Sequence, residues 1–108
     1  MTEAFESLAS LDKIVHEPAR LALLTALSAC NSADFLALKR LTGLTKGNLS
    51  THLSRLENAG LVEIEKQFID KKPNTRVRLT QKGRKAIENH WQQLKNLYDT
   101  TQQWRPEK

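Results

Sequence analysis

The sequence predicts a mainly α domain with one small β-hairpin and extended terminal helices. Three observations carry that expectation. Apolar residues recur at helical spacing through most of the chain. The period drops to 2 only between Leu61 and Leu79. Turn-forming and capping residues fall between the periodic segments.

A chain of 108 residues makes one domain with a modest core. Apolar residues at 39% and charged residues at 27% are ordinary for a globular protein. The net charge of +5 is unevenly spread. Residues 1–30 carry a net of −2, residues 31–60 a net of +2, residues 61–86 a net of +5 and residues 87–108 a net of zero. The cationic middle argues for a polyanionic partner, nucleic acid first. Cys30 is the only cysteine, which excludes an intramolecular disulfide and fits a reducing compartment. T-E-A-F-E after Met1 has neither a basic start nor an apolar core, so no secretory signal is expected. No apolar run approaches the ~20 residues of a membrane span. The expected location is the cytoplasm, with no membrane partner.

The elements follow in order. Ala4, Leu8, Leu11 and Val15, with Ile14 beside them, predict a short acidic helix over about 4–15 that packs rather than binds. His16-Glu17-Pro18 breaks it. Pro18 suits the first turn of a second helix, where its missing N–H costs nothing. Leu21, Ala22, Leu24 and Leu27 make that helix, Pro18 to Ala29, the central core element. Asn31-Ser32-Ala33-Asp34 reads as a turn of capping residues. Asp34 caps a short helix holding Phe35, Leu36, Leu38 and Leu41. Thr42-Gly43-Leu44 turns the chain into a further helix, Thr45–Asn58, with Thr45 as N-cap and Gly60 as its stop. Two helices joined by a tight glycine-containing turn form a helix-turn-helix, here residues 34–58, with Leu44 in the corner.

The second of these helices has two unlike sides. Leu49, Leu53 and Leu56 share one. Gly47, Asn48, Ser50, Thr51, Ser54 and Arg55 occupy the other, which holds short donors and acceptors and no carboxylate in its middle. Such a helix suits the DNA major groove, which admits one helix. Arg55 fits a bidentate contact to guanine, Lys46 and Asn48 reach base or phosphate, and Gly47 allows close approach of a backbone.

After Gly60, Leu61, Val62, Ile64 and Phe68 alternate with Glu63, Glu65 and Gln67 to mark a strand. Asp70-Lys71-Lys72-Pro73-Asn74 reads as a five-residue loop, and Thr75 to Leu79 as a second strand with Val77 and Leu79 inward. The resulting hairpin, residues 61–80, bears Lys66, Lys71, Lys72, Arg76 and Arg78. These are candidates to neutralise phosphates or enter a minor groove.

Thr80 caps a long last helix, Gln81 to Gln103, about 35 Å long at 1.5 Å per residue. Lys82, Arg84 and Lys85 in its first turns oppose the helix dipole, which hints at phosphate contact. Ile87, Trp91, Leu94 and Tyr98, flanked by Leu97 and Trp104, form a packing seam longer than a small core requires. With Leu8 and Leu11 it predicts a homodimer interface. His90, beside Trp91, is placed there too. His16 is read as a tie between two helices, and His52 as a hydrogen-bonded packing residue. Three scattered histidines and one cysteine make no metal motif, and no cofactor is expected. The absence of a paired acid and base, a nucleophile elbow or a phosphate loop argues against an enzyme.

The segments H-E-P-A-R-L-A-L-L at 16–24, D-F-L-A-L-K-R-L-T-G-L-T-K-G-N-L-S-T-H-L-S-R-L-E-N-A-G-L-V at 34–62 and K-P-N-T-R-V-R-L-T-Q-K-G-R at 72–84 appear in a telling order. The chain thereby resembles the winged helix-turn-helix DNA-binding domain of small transcriptional regulators similar to the MarR and ArsR groups. The resemblance implies a dimer bound to double-stranded DNA, with recognition helices in successive major grooves and wings toward minor grooves or backbone. It also implies a regulator, expected to repress by occluding a promoter. Cys30 stands alone, so the metal-binding cysteine motif of the ArsR kind is missing. No second domain for a ligand is expected from these 108 residues. A small-molecule effector in a cavity between the terminal helices stays open. Two rivals are a winged helix that docks a protein and an RNA-binding or antitoxin-like protein. The hairpin's charge weighs against the first, and the placement of Trp91, Tyr98 and Trp104 in or just after the last helix, away from the basic segment, against the second.

Overall fold

The computed structural model describes residues 2–105, with side-chain surroundings from Phe5 onward. The Ala4 side chain, expected on the first stripe, lies outside the described residues. The elements run α1 (Thr2–Ala9), α2 (Pro18–Cys30), β1 (Ser32–Asp34), α3 (Phe35–Thr42), α4 (Lys46–Asn58), β2 (Val62–Ile69), β3 (Lys72–Leu79) and α5 (Gln81–Gln103).

Side-chain caps set where the helices begin. Glu17 accepts the Arg20 N–H at 2.9 Å ahead of α2, with Pro18 in the first turn. Asp34 accepts from Ala37 at 2.7 Å, Thr45 from Asn48 at 3.2 Å and Thr80 from Gly83 at 2.9 Å. Each satisfies a donor that the helix itself cannot. The end of α4 closes with the paired bonds of a Schellman motif, Gly60 N–H to Glu57 and Leu61 N–H to Leu56, both 2.9 Å. Gly60 takes φ +78°, a left-handed conformation that favours glycine.

Three expectations change. The first helix stops at Ala9 instead of running to Val15. Asp12 is the cause, because its carboxylate accepts the N–H of Ile14 at 2.8 Å and starts a separate turn. Leu11 and Val15 still reach the core, at 6% and 1% exposure. The presumed turn at 31–34 contains a strand. Asn31 holds a left-handed φ of +65°, and Ser32, Ala33 and Asp34 then pair antiparallel with Arg78, Val77 and Arg76. The sheet therefore has three strands in the order β1-β3-β2. Finally, the hairpin loop is two residues long, not five, since Ile69 pairs with Lys72 and Phe68 with Pro73. Asp70 and Lys71 carry φ +52° and +66°, the paired positive values of a type I′ turn. Pro73 is tolerated because β1 pairs with β3 only at residues 76–78, leaving that edge open beside it.

The core lies between α2, α3, α4 and the inner sheet face. Leu23, Leu24, Leu27, Leu38, Leu49, Leu56 and Val77 are fully buried. Gly83 lets the start of α5 press on the end of α4, for a Cβ there would stand 2.0 Å from the Leu61 carbonyl oxygen. The molecule is elongated, 69 × 25 × 21 Å.

Candidate nucleic-acid interface

The leucine side of α4 is consumed by the core: Leu49, Leu53 and Leu56 are 0–2% exposed. Burial of that face, with apolar side chains worth roughly 1.5–3 kcal/mol each, turns the other one outward. Lys46, Gly47, Asn48, Ser50, Thr51, Ser54 and Arg55 are all exposed. Arg55 takes part in none of the ion pairs among the described residues.

The hairpin divides the expected cations into three sets. Lys66 lies opposite Thr75 on the sheet face that also bears Ile64 and Val77. That face and α4 enclose an open groove of about 560 Å³ lined by Lys46, Ser50, Ser54, Ile64, Lys66 and Thr75. Lys71 and Lys72 stand exposed at the tip. Arg76 and Arg78 occupy the opposite sheet face and look away from the groove. Arg78 lies 3.8 Å from both Glu63 and Glu65, and Arg76 donates to Ser32 Oγ at 3.1 Å. Cross-strand pairing thus spends much of the charge that the sequence offered as uniformly available.

Two of the three cations opening α5, Lys82 and Arg84, are also engaged within the chain. Lys82 Nζ donates to the Ala59 carbonyl at 2.9 Å, closing the end of α4. Arg84 donates to the Ser28 carbonyl at 3.4 Å and to the Asn31 side chain, closing the end of α2. Their placement against the dipole serves two neighbouring helix C-termini rather than the expected phosphate contact.

Two buried polar residues hold α4 and α5 to the body. Arg20, 7% exposed, donates Nε to the Ile14 carbonyl at 2.7 Å, and one Nη to the Lys13 carbonyl at 3.2 Å. Its other Nη lies 3.2 Å from His52 Nδ1 on α4. Glu17 sits 3.7 Å from the same ring nitrogen. Partial burial pushes the Glu17 carboxyl up, but the N–H groups of Arg20 and Ala19 and the nearby His52 and Arg20 outweigh it, leaving the group below its ordinary value. Helical periodicity alone gives Arg20, the one basic residue of α2, no such role. A lone arginine on an otherwise apolar helix was the available signal.

His90 is 3% exposed and its Nε2 lies 3.0 Å from His16 Nδ1. The placement of His90 at a partner interface is therefore corrected, because the ring is inside the chain. His16 does bridge separate elements, joining the approach to α2 to α5. Burial, then the His16 ring, lower the affinity of His90 for a proton, and Asp12 opposes them. Among the described residues no cluster of three or more potential metal ligands gathers.

Of the six residues expected at a partner surface, Leu11 and Ile87 belong to the chain's own interior, at 6% and 1% exposure. Leu8, Trp91 and Tyr98 are exposed at 48%, 46% and 64%, and Leu94 is half-buried. Trp91 donates its indole N–H to Thr25 Oγ1 at 3.0 Å, and Phe5 meets Trp104 edge-on with ring centres 5.8 Å apart. The hollow between α1 and α5 is lined by Ser7, Asn89, Gln92, Gln93, Asn96 and Leu97, a mostly polar wall. Among the described residues no helix is long and apolar enough to cross a membrane.

Residues 19–98 match a family model described as a winged helix DNA-binding domain. An uncharacterized protein of Methanocaldococcus jannaschii is 35% identical over 85 residues, covering 79% of this chain and 92% of its own length. The solved structure of a transcriptional regulator homologue from Pyrococcus horikoshii superposes with a TM-score of 0.84 at 29% identity, over 92% of this chain and 97% of that one. A MarR-family transcriptional regulator from Silicibacter pomeroyi reaches 0.64 at 24% identity, over 94% and 70%, a likeness of fold.

Proposed function

Because the chain belongs to the winged helix DNA-binding domain family, we propose that it is a transcriptional regulator that reads double-stranded DNA by sequence, as a homodimer that represses by covering a promoter. It is a DNA-binding regulator and not an enzyme. One observation carries the reading of the site: Lys46, Ser50 and Ser54 from the polar side of α4 line the same groove as the Lys66 face of the hairpin. A duplex laid along that groove meets Ser50, Thr51, Ser54 and Arg55 at base edges, with Lys46 and Asn48 at the flanking phosphates and Gly47 giving the backbone room. Lys66, Lys71 and Lys72 meet the next stretch of backbone. Arg76 and Arg78 contribute less, being turned to the other sheet face.

The dimer in this reading uses α1 and the outer side of α5, where Leu8, Trp91 and Tyr98 lie exposed. Two recognition helices would then address half-sites about 34 Å apart, one turn of the duplex. Gel shifts at fixed salt test the site. Arg55→Ala should relax sequence preference, whereas Lys71→Ala should weaken binding to every duplex alike. Wild-type behaviour of both variants would contradict the assignment. Light scattering tests the dimer: Tyr98→Glu combined with Leu8→Glu should halve the mass, and an unchanged mass would rule out that surface.

A further inference from the structure

Phe68 stands near the end of the hairpin and is 76% exposed, more than any other large apolar side chain among the described residues. Ile69 beside it is 50% exposed. Phe68 is opposite Pro73 in the ladder, and Ile69 opposite Lys72. The ring is carried on a fixed support, because the ladder continues to the turn itself, where Asp70 and Lys71 both hold positive φ. The period of 2 puts Phe68 on the sheet face of Ile64 and Lys66, which lines the groove with α4.

The charge around this tip is cationic. Lys66, Lys71 and Lys72 are all exposed, and Asp70 is the one carboxylate between residues 66 and 75. Phe68 and Pro73 together make a narrow apolar edge rather than a broad patch. The partner that fits is polyanionic on the outside and offers an apolar slot. Stacked base pairs framed by phosphates have that character, and apolar wedges enter them from the minor groove. We propose that Phe68 is a wedge that enters the minor groove and partly unstacks one base step, while Lys71 and Lys72 hold the phosphates beside it and the duplex bends. This rests on the DNA-binding reading above. It adds a source of selectivity that α4 does not reach: pyrimidine–purine steps unstack most easily, so the wedge favours them at its own position.

The test uses the full chain and a duplex that it selects from a random pool, with 2-aminopurine placed in turn at adenines flanking the α4 half-site. Binding should raise the fluorescence several-fold at one step, and circular-permutation gel shifts should report a bend. Phe68→Ala should abolish both signals and weaken binding about tenfold. Phe68→Trp should restore them. Lys71→Ala should weaken binding while leaving the fluorescence rise of the bound complex intact. Wild-type binding without fluorescence rise or bend, or a Phe68→Ala variant that bends DNA like wild type, overturns the wedge and leaves DNA recognition standing. Failure to select any duplex overturns both. Phosphatidylserine vesicles that capture wild type but not Phe68→Ala, with no unstacking of DNA, would reassign the tip to an anionic lipid surface and overturn the wedge.

Discussion

Arg20 of α2 and His52 of α4 meet through a guanidinium nitrogen 3.2 Å from the ring Nδ1. Arginine only donates, so Nδ1 is the acceptor in this contact. The α4 helix, whose outer side is proposed to meet DNA, is thereby tied from its rear to the core helix and, through the Ile14 and Lys13 carbonyls, to the segment that follows α1. Removing the guanidinium strands two carbonyls and a ring nitrogen that are partly or wholly out of water. Arg20→Ala should cost about 3 kcal/mol of stability, read from the midpoint of urea unfolding. Arg20→Lys should recover only part of it, because one ammonium cannot span all three acceptors.

Gly83→Ala tests the packing of α5 on the end of α4. The added methyl would lie 2.0 Å from the Leu61 carbonyl oxygen and 2.8 Å from Leu79 Cδ1. Neither neighbour can yield without moving the β2 entry or the core. The variant should lose at least about 3 kcal/mol or fail to fold, seen as a large drop in Tm. Gly47→Ala, with open space around it, should keep or raise stability.

His90 gives stability a pH dependence of known sign. Burial, then His16, hold its folded-state pKa below the ordinary 6.5, which the unfolded chain keeps. Below about pH 6.5 the unfolded state binds the extra proton, so stability falls with falling pH until the folded ring also titrates. Glu17 adds a separate loss at lower pH. Its lowered pKa stabilises the fold above the ordinary 4.5 and is forfeited as pH falls through the folded value. Unfolding midpoints measured from pH 8 to 5 should decline, and His90→Gln should flatten the first part of that decline.

The hairpin cations should separate by face. Lys66→Ala removes a charge that lines the groove, whereas Arg78→Ala removes one already balanced by Glu63 and Glu65. Fluorescence anisotropy with one duplex should show a several-fold weaker Kd and a smaller salt slope for Lys66→Ala. Arg78→Ala should stay within about twofold of wild type. Equal losses would mean that both sheet faces meet the duplex.

The sequence exposed most of this arrangement because local rules and tertiary structure agreed along it. Thr45, Asp34 and Thr80 cap as their residue types prefer, and the leucines of α4 fall on one face at helical spacing. It hid what depends on distant partners. Ser32–Asp34 carries no strand period and becomes β1 only because Val77 and its neighbours offer a ladder. The turn at Asp70-Lys71 lacks the glycine that usually marks its type, so composition pointed to a longer loop. Lys82 and Arg84 looked available because the helix ends they close are 23 and 53 or more residues away. Charge groups Arg76 and Arg78 with Lys66, although the period of 2 already turns both arginines outward, away from the face of Val77 and Leu79.

The central claim is that the outer side of α4 and the groove-facing hairpin grip duplex DNA together. Selection from a random duplex pool at physiological salt, followed by anisotropy on the recovered sequence across a salt series, tests it most directly. Expected are paired half-sites one helical turn apart and a log–log slope of several ions, reduced by about one for each of Lys66→Ala and Lys71→Ala. No enriched sequence, together with affinity that does not respond to salt, would contradict it.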